Sequence, residues 1–240
     1  ESDPVQPRSV VLRASKSGGD PTVLANHTGL ILSLVMDADQ LYFAGDSRAV
    51  YSLPKIGGAP KMITTSNFAP TRAISADATF VYWSSYDNLN GQHNWLERAP
   101  KSGGAAEALV NFGSNSVSGI VSRFLADGSF IYAADFGMIR RFAKSNGAEV
   151  ELYDITNPAN PTFGDRMSGF ALDDGAVYWS SSPNDAPDLV AEHSWLARVN
   201  KDGSGARSIF DSSSVIAQLV VWGDSVYFGW KGALYRVCKQ

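Results

Sequence analysis

Two words of the form His-x-Trp-Leu, at His93 to Leu96 and at His193 to Leu196, are the residues of this chain whose types and spacing best suit chemistry. An imidazole titrates near neutral pH and ligates metals, so such a pair could serve as acid or base, hold an ion, or contact a ligand beside a flat indole. It could equally tie down a loop by bonding a main-chain carbonyl, because duplicated segments inherit the same packing. The structural use is preferred, ligand contact comes next, and metal or acid–base work comes last. His27 is the third histidine of the chain and keeps a three-histidine metal site open. Such a site requires the three rings to converge within a few ångströms. If the chain were a lyase or hydrolase, Asp165 or Arg166 would partner a histidine base. No nucleophile elbow, phosphate loop or metal-ligand spacing accompanies them, so no catalytic residue, metal ligand or cofactor is assigned.

Each His-x-Trp word closes a long insertion, S-S-Y-D-N-L-N-G-Q-H-N-W-L from Ser84 and S-S-S-P-N-D-A-P-D-L-V-A-E-H-S-W-L from Ser180. Tyr86, Asp87, Asn88 and Asn90 decorate the first, and Asn184, Asp185 and Asp188 the second. Flat aromatic faces beside Asn and Asp acceptors suit the C–H faces and hydroxyls of a sugar, and serve equally at a protein interface. The candidate ligand contacts are therefore Tyr86, Asp87, Asn88, His93, Trp95, Asp185, His193, Trp195 and Trp230. The expected partner is a protein or a carbohydrate, and composition does not choose between them.

The elements that position these residues are repeated. R-A-S-K-S-G-G at Arg13, S-L-P-K-I-G-G at Ser52, R-A-P-K-S-G-G at Arg98, R-F-A-K-S-N-G at Arg141, R-V-N-K-D-G-S at Arg198 and R-V-C-K-Q at Arg236 are variants of one phrase. A second phrase alternates with it, an Asp-containing turn followed by an aromatic run ending near Tyr42, Tyr82, Tyr132, Tyr178 and Tyr227. Successive tyrosines lie 40, 50, 46 and 49 residues apart, the size of a four-stranded propeller blade.

Each unit reads as four strands. Strand A is a short apolar run (30–35, 120–125, 216–221), expected to be buried on both faces. The aspartates that follow form a turn in preference to a calcium site. Strand B is the V-Y-W run, whose β-branched and aromatic residues suit a packed strand. Strand C carries the Arg and Lys, expected near the outside with their stems covering apolar surface, in preference to a ring of anion sites. Lys-Ser-Gly-Gly is the turn into a brief strand D. The order is then C-D, four units A-B-C-D, and a final A-B-C. Pairing of N- and C-terminal strands would close five blades with one strand C left over, and six blades with one incomplete is the alternative. The B–C loops and D-to-A links share one rim, so both insertions should rise there; loops that depart from a scaffold are where function concentrates.

The D-x-x-x-Y-W and L-x-R-x-x-K-x-G-G pattern, running from about Ser9 to Lys239, resembles bacterial β-propeller repeats similar to the YWTD and low-density-lipoprotein-receptor type. The resemblance implies an all-β propeller of four-stranded antiparallel blades, often in exported proteins. It implies no particular activity, because propellers host many. The chain departs from the full YWTD word at Phe43, Trp83, Ala134 and Trp179. A non-enzymatic binding module presenting its looped rim is the preferred function. The alternatives are a lectin with sugar sites repeated between blades, favoured if Trp83, Trp179 and Trp230 face outward, and an enzyme working from the central funnel.

Composition narrows this further. A formal charge of −4 with basic residues spread along the repeats argues against nucleic acid, which needs a clustered basic face. No apolar stretch approaches the roughly 18 residues of a membrane helix. Cys238 is the single cysteine, which excludes an internal disulfide and suits an edge-strand or buried thiol. One propeller domain over residues 1–240 is expected, with residues 1–8 a flexible lead-in. The opening Glu-Ser-Asp-Pro without Met fits a trimmed or exported, periplasmic or cell-surface form.

Overall fold

The computed structural model describes residues 8–68, 73–87, 93–113, 123–135, 138–154, 157, 166–182 and 194–239. Its described residues contain strands and turns and no helix. The chain forms two compact units, Glu1–Ser122 and Arg123–Gln240.

In the first unit, β1 (Ser9–Arg13) and β2 (Thr22–His27) form a two-stranded hairpin. Two four-stranded antiparallel sheets follow. One holds β3 (Ile31–Met36), β4 (Gln40–Gly45), β5 (Ala49–Pro54) and β6 (Lys61–Thr65); the other holds β7 (Ile74–Ala76), β8 (Phe80–Asp87), β9 (His93–Pro100) and β10 (Glu107–Gly113). The second unit has two sheets of the same order. They are β11 (Arg123–Ala126), β12 (Phe130–Asp135), β13 (Met138–Ala143) and β14 (Glu149–Asp154), then β15 (Arg166–Leu172), β16 (Ala176–Ser182), β17 (Ser194–Asn200) and β18 (Arg207–Ser212). A three-stranded sheet ends it, made of β19 (Ile216–Trp222), β20 (Ser225–Trp230) and β21 (Ala233–Cys238). The strand order C-D, four times A-B-C-D, then A-B-C is the one the repeats predict.

Consecutive sheets of each unit stack face to face. Tyr42, Ala44, Val50 and Ile63 of one sheet bury against Ile74, Val81, Trp83 and Ala99 of the next. Tyr132, Ile139 and Tyr153 do the same against Val177, Trp179 and Val199, and Tyr178 and Leu196 against Ile216, Leu219 and Phe228. The hairpin packs Val11, Leu24 and Ala25 onto Leu41, Phe43 and Leu53. Alternation along each strand gives every sheet two apolar faces, so a sheet is stable only between neighbours. Each C–D pair also carries a register shift, for example between Val50 and Tyr51 or Leu196 and Ala197. Such bulges twist the outer strand and discourage pairing with foreign edges.

Two expectations change. Strand A was expected to be buried on both faces, yet Leu32, Leu34 and Met36 of β3 are exposed. Leu34 pairs with Phe43, on the face that the hairpin covers, and a hairpin with only C and D strands leaves the A position of that face bare. The terminal strands were expected to pair, yet among the described residues β1 and β2 pair only with each other and β21 only with β20.

Candidate functional site

At the end of each sheet that holds the A–B and C–D turns, the repeat phrases work as clamps between sheets. In the first unit, Asp37 makes its turn by accepting the N–H groups of Asp39 and Gln40 on Oδ1. Its Oδ2 accepts from the Tyr42 hydroxyl and, at 2.6 Å, from the Lys101 ammonium of the following sheet. In the second unit Asp127, Tyr132 and Lys201 repeat this at 2.7 Å, and Asp173, Tyr178 and Lys239 at 2.5 Å. The strand-C arginines add a second clasp, donating to the next lysine's carbonyl: Arg13 to Lys55 at 3.3 Å, Arg141 to Lys201 at 2.7 Å, Arg198 to Lys239 at 3.1 Å.

Burial opposes ionisation of Asp127 and Asp173, but the lysine, tyrosine and backbone donors outweigh it and bring both pKa values down to about 2. Tyr178 is pushed up to about 12, first by burial and then by its bond to Asp173. The turn role of the aspartates was legible in the sequence; the clamp was not. Lys101, Arg141 and Lys201 cover aromatic surface, over Tyr42, Phe130 and Tyr132, as expected of strand C, and are in addition hydrogen-bonded across sheets. The signal that could have found this is the constant Asp-to-Tyr spacing, at 37/42, 77/82, 127/132 and 173/178.

The opposite end of each sheet, with the B–C turns and D-to-A links, differs from sheet to sheet. In the first unit Trp95 is half-buried and stacks on Phe68, with rings 5.0 Å apart and 10° from parallel. Beneath them Glu97, fully buried, accepts from the Ser66 hydroxyl, from the Asn67 main-chain N–H at 3.0 Å and side-chain amide at 2.7 Å, and from the Trp83 indole at 3.0 Å. Glu97 thus fixes the link after β6 to the strand that carries Trp95. Sequence reasoning missed it, although an acid between Leu96 and Arg98 on an apolar strand was a visible signal. Tyr86 is half-buried on β8, and Asp87 and His93 are cross-strand partners at the open end of β8 and β9.

His27 does not stand free as a ligand would. Its ring meets Phe43 at 5.2 Å and Tyr51 at 4.8 Å, edge to face, and burial lowers its pKa against the pull of Asp46. Asp46 in turn accepts from the Leu30 N–H and pairs with Arg8.

In the second unit Trp195 is half-buried against the core of its sheet. Trp230 closes β20 at a tight turn whose two residues, Lys231 and Gly232, have φ of 47° and 75°. That is the geometry of a two-residue hairpin loop twisted to match its strands. The Lys231 ammonium lies 4.9 Å from the Trp230 ring centre, beside an open depression of about 610 Å³ that also reaches Val215, Gly229 and Leu234. Asn88, Asn90, Asp165, Asn184, Asp185, Asp188 and His193 lie outside the described residues, as do the side chains of Asp87, His93 and Arg166. Among the described residues no three His, Cys, Asp or Glu side chains converge as a metal would require. Trp83 and Trp179 are completely buried, so neither offers the outward face that a repeated sugar site needs.

No protein-family model matches the chain, and no curated protein does. Solved structures do. A chain of the nidogen/laminin complex is 13% identical, with a TM-score of 0.60 over 90% of this chain and 80% of that one. A TolB candidate from Agrobacterium tumefaciens is 17% identical, with a TM-score of 0.55 over 87% and 73%. The WD40 β-propeller domain of Doa1 is 12% identical, with a TM-score of 0.52 over 98% and 88%. Together with the stacked four-stranded antiparallel sheets, these likenesses show the fold, that of an all-β repeat protein of the β-propeller class.

Proposed function

We propose that this chain is a non-enzymatic binding module that presents the B–C end of its blades to a protein or glycan partner. The observation that carries this is the division of labour between the two ends of each sheet. The A–B and C–D end repeats one clamp of Asp, Tyr and Lys and is occupied by contacts between sheets. The B–C end carries a different set in each sheet: Tyr51 with His27, Trp95 with Phe68, Trp195, and Trp230 with Lys231. A fold does not require such variety, whereas a recognition surface uses it.

Both long insertions spring from this end, between β8 and β9 and between β16 and β17. Tyr86, Asp87, Asn88, His93 and Trp95 would supply contacts from the first, and Asp185, His193 and Trp195 from the second. A protein partner is favoured over a lectin with repeated sites by the burial of Trp83 and Trp179. Blade number belongs to the same reading: the described strands form a two-stranded hairpin and five larger sheets, and the hairpin strands pair only with each other, which supports the six-blade alternative over five blades closed by strand pairing. An exported bacterial setting is the remaining part of the proposal.

The test is a glycan array and a pull-down run side by side on the chain and on a His93→Ala, His193→Ala variant. Specific binding that disappears in the variant while its melting curve stays unchanged is the expected result. Binding that survives in full, or a variant that loses several degrees of melting temperature, assigns the histidines to loop packing and removes them from the site.

A further inference from the structure

The turn from β20 into β21 gathers hydrogen-bond donors and gives them no acceptor. The Lys231 ammonium makes no hydrogen bond or ion pair among the described residues and lies over the Trp230 ring, 4.9 Å from its centre. The main-chain N–H groups of Lys231 and Gly232 donate to nothing among the described residues, and the Trp230 indole N–H is enclosed without an acceptor. Lys231 has a φ of 47° at the first position of a loop type that favours Asn or Gly there. This lysine is therefore held against the conformational preference of its own backbone.

These groups border the open depression of about 610 Å³, which is made wholly by the last sheet and the link before it. Val215, Ala233, Leu234 and glycine backbone complete the lining, so Lys231 is its only charged side chain and no acid or amide side chain shares it. Such a lining selects its occupant. An ionised carboxylate only accepts hydrogen bonds, which suits a site that only donates them, and apolar walls suit an aliphatic or aromatic group beside that carboxylate. A sugar ring asks for something else, a bare indole face with several polar side chains around it. Here the ammonium lies over the indole, and Phe210 and Tyr235 meet it edge to face at 5.7 and 4.8 Å.

We propose that this depression takes the C-terminal carboxylate of a partner protein whose last residue is apolar. The inference rests on the reading of the B–C end as the binding end, and it supplies the chemistry of one contact there. A chain end carries a carboxylate and an apolar side chain on one carbon, matching a single cation set beside apolar walls. The carboxylate pairs with Lys231, and the terminal side chain lies against Val215 and Leu234.

The test titrates N-acetyl-leucine, its amide, N-acetyl-glutamate α-amide and glucuronate through the millimolar range into the isotope-labelled full chain. The readout is the Trp230 indole N–H resonance, assigned by its loss in Trp230→Phe. N-acetyl-leucine is expected to move that resonance saturably, and its amide to bind about fivefold more weakly, the loss of one exposed ion pair. Lys231→Asn removes the charge and keeps the hairpin, because Asn-Gly is the preferred pair for this turn. That variant should bind N-acetyl-leucine as weakly as wild type binds the amide, and Lys231→Arg should bind it as wild type does. A resonance that does not move, acid and amide bound alike, or a Lys231→Asn chain that binds the acid in full each overturns the site. Glucuronate or N-acetyl-glutamate α-amide bound as well as N-acetyl-leucine overturns the assignment to a chain end. A partner captured equally by wild type and Lys231→Asn removes this contact and leaves the reading of the B–C end standing.

Discussion

Glu97 sits fully buried on β9 with four hydrogen bonds donated to its carboxyl oxygens, by Ser66, by the main chain and side chain of Asn67, and by Trp83. The corresponding position holds Tyr51, Arg140 and Ala197 in other sheets, so this anchor belongs to one sheet and to the loop that crosses it. A buried acceptor surrounded only by donors is intolerant of a donor in its place. Glu97→Gln is expected to destabilise the chain by about 1 to 3 kcal/mol, because its amide NH₂ would face one of the existing N–H or O–H groups. Chemical denaturation checks this. An unchanged midpoint would mean that the link after β6 is held by the Phe68–Trp95 stack alone.

At the scale of the element, the two glycines of the C–D turn are there for backbone reasons. Gly103 and Gly104 have φ of 98° and 144°, and the Gly104 N–H donates to the Ile63 carbonyl of the preceding sheet at 3.2 Å. A side chain at Gly103 would bring its Cβ to 3.2 Å from that same oxygen, in addition to the cost of the positive φ. The turn of one sheet is thereby sewn to strand D of the sheet before it, and Gly57 and Gly58 do the same at Leu24. Gly103→Ala should lower stability by about 1 to 2 kcal/mol on conformation alone. Gly18→Ala is the control, because it meets the same positive φ with nothing within 4 Å, and so isolates the conformational part. Equal losses in a thermal melt would show that the approach to Ile63 contributes nothing.

At the scale of the whole molecule, the clamps tie stability to pH. Asp127 and Asp173 titrate near 2 when folded against about 4 when unfolded, so their contribution is complete above pH 4 and fades as pH falls towards 2. Tyr42 and Tyr178 titrate near 12 against about 10, so theirs is complete below pH 10 and fades as pH rises towards 12. Melting temperature should therefore show a plateau with an acid limb and an alkaline limb in those windows. Asp127→Asn should flatten part of the acid limb, and a variant whose limb is as steep as wild type would remove Asp127 as a source. The strand order, the turn aspartates and the size of the unit were legible in the sequence, because backbone alternation and turn chemistry are local and the repeat wrote them several times. Partners across sheets were not legible. Which oxygen Lys101 reaches, and that Trp83 lies completely buried against Tyr42 and Val50 of the sheet before it, depend on which sheet lies against which face. That arrangement is decided only when apolar faces with near-identical sequences choose their neighbours in three dimensions.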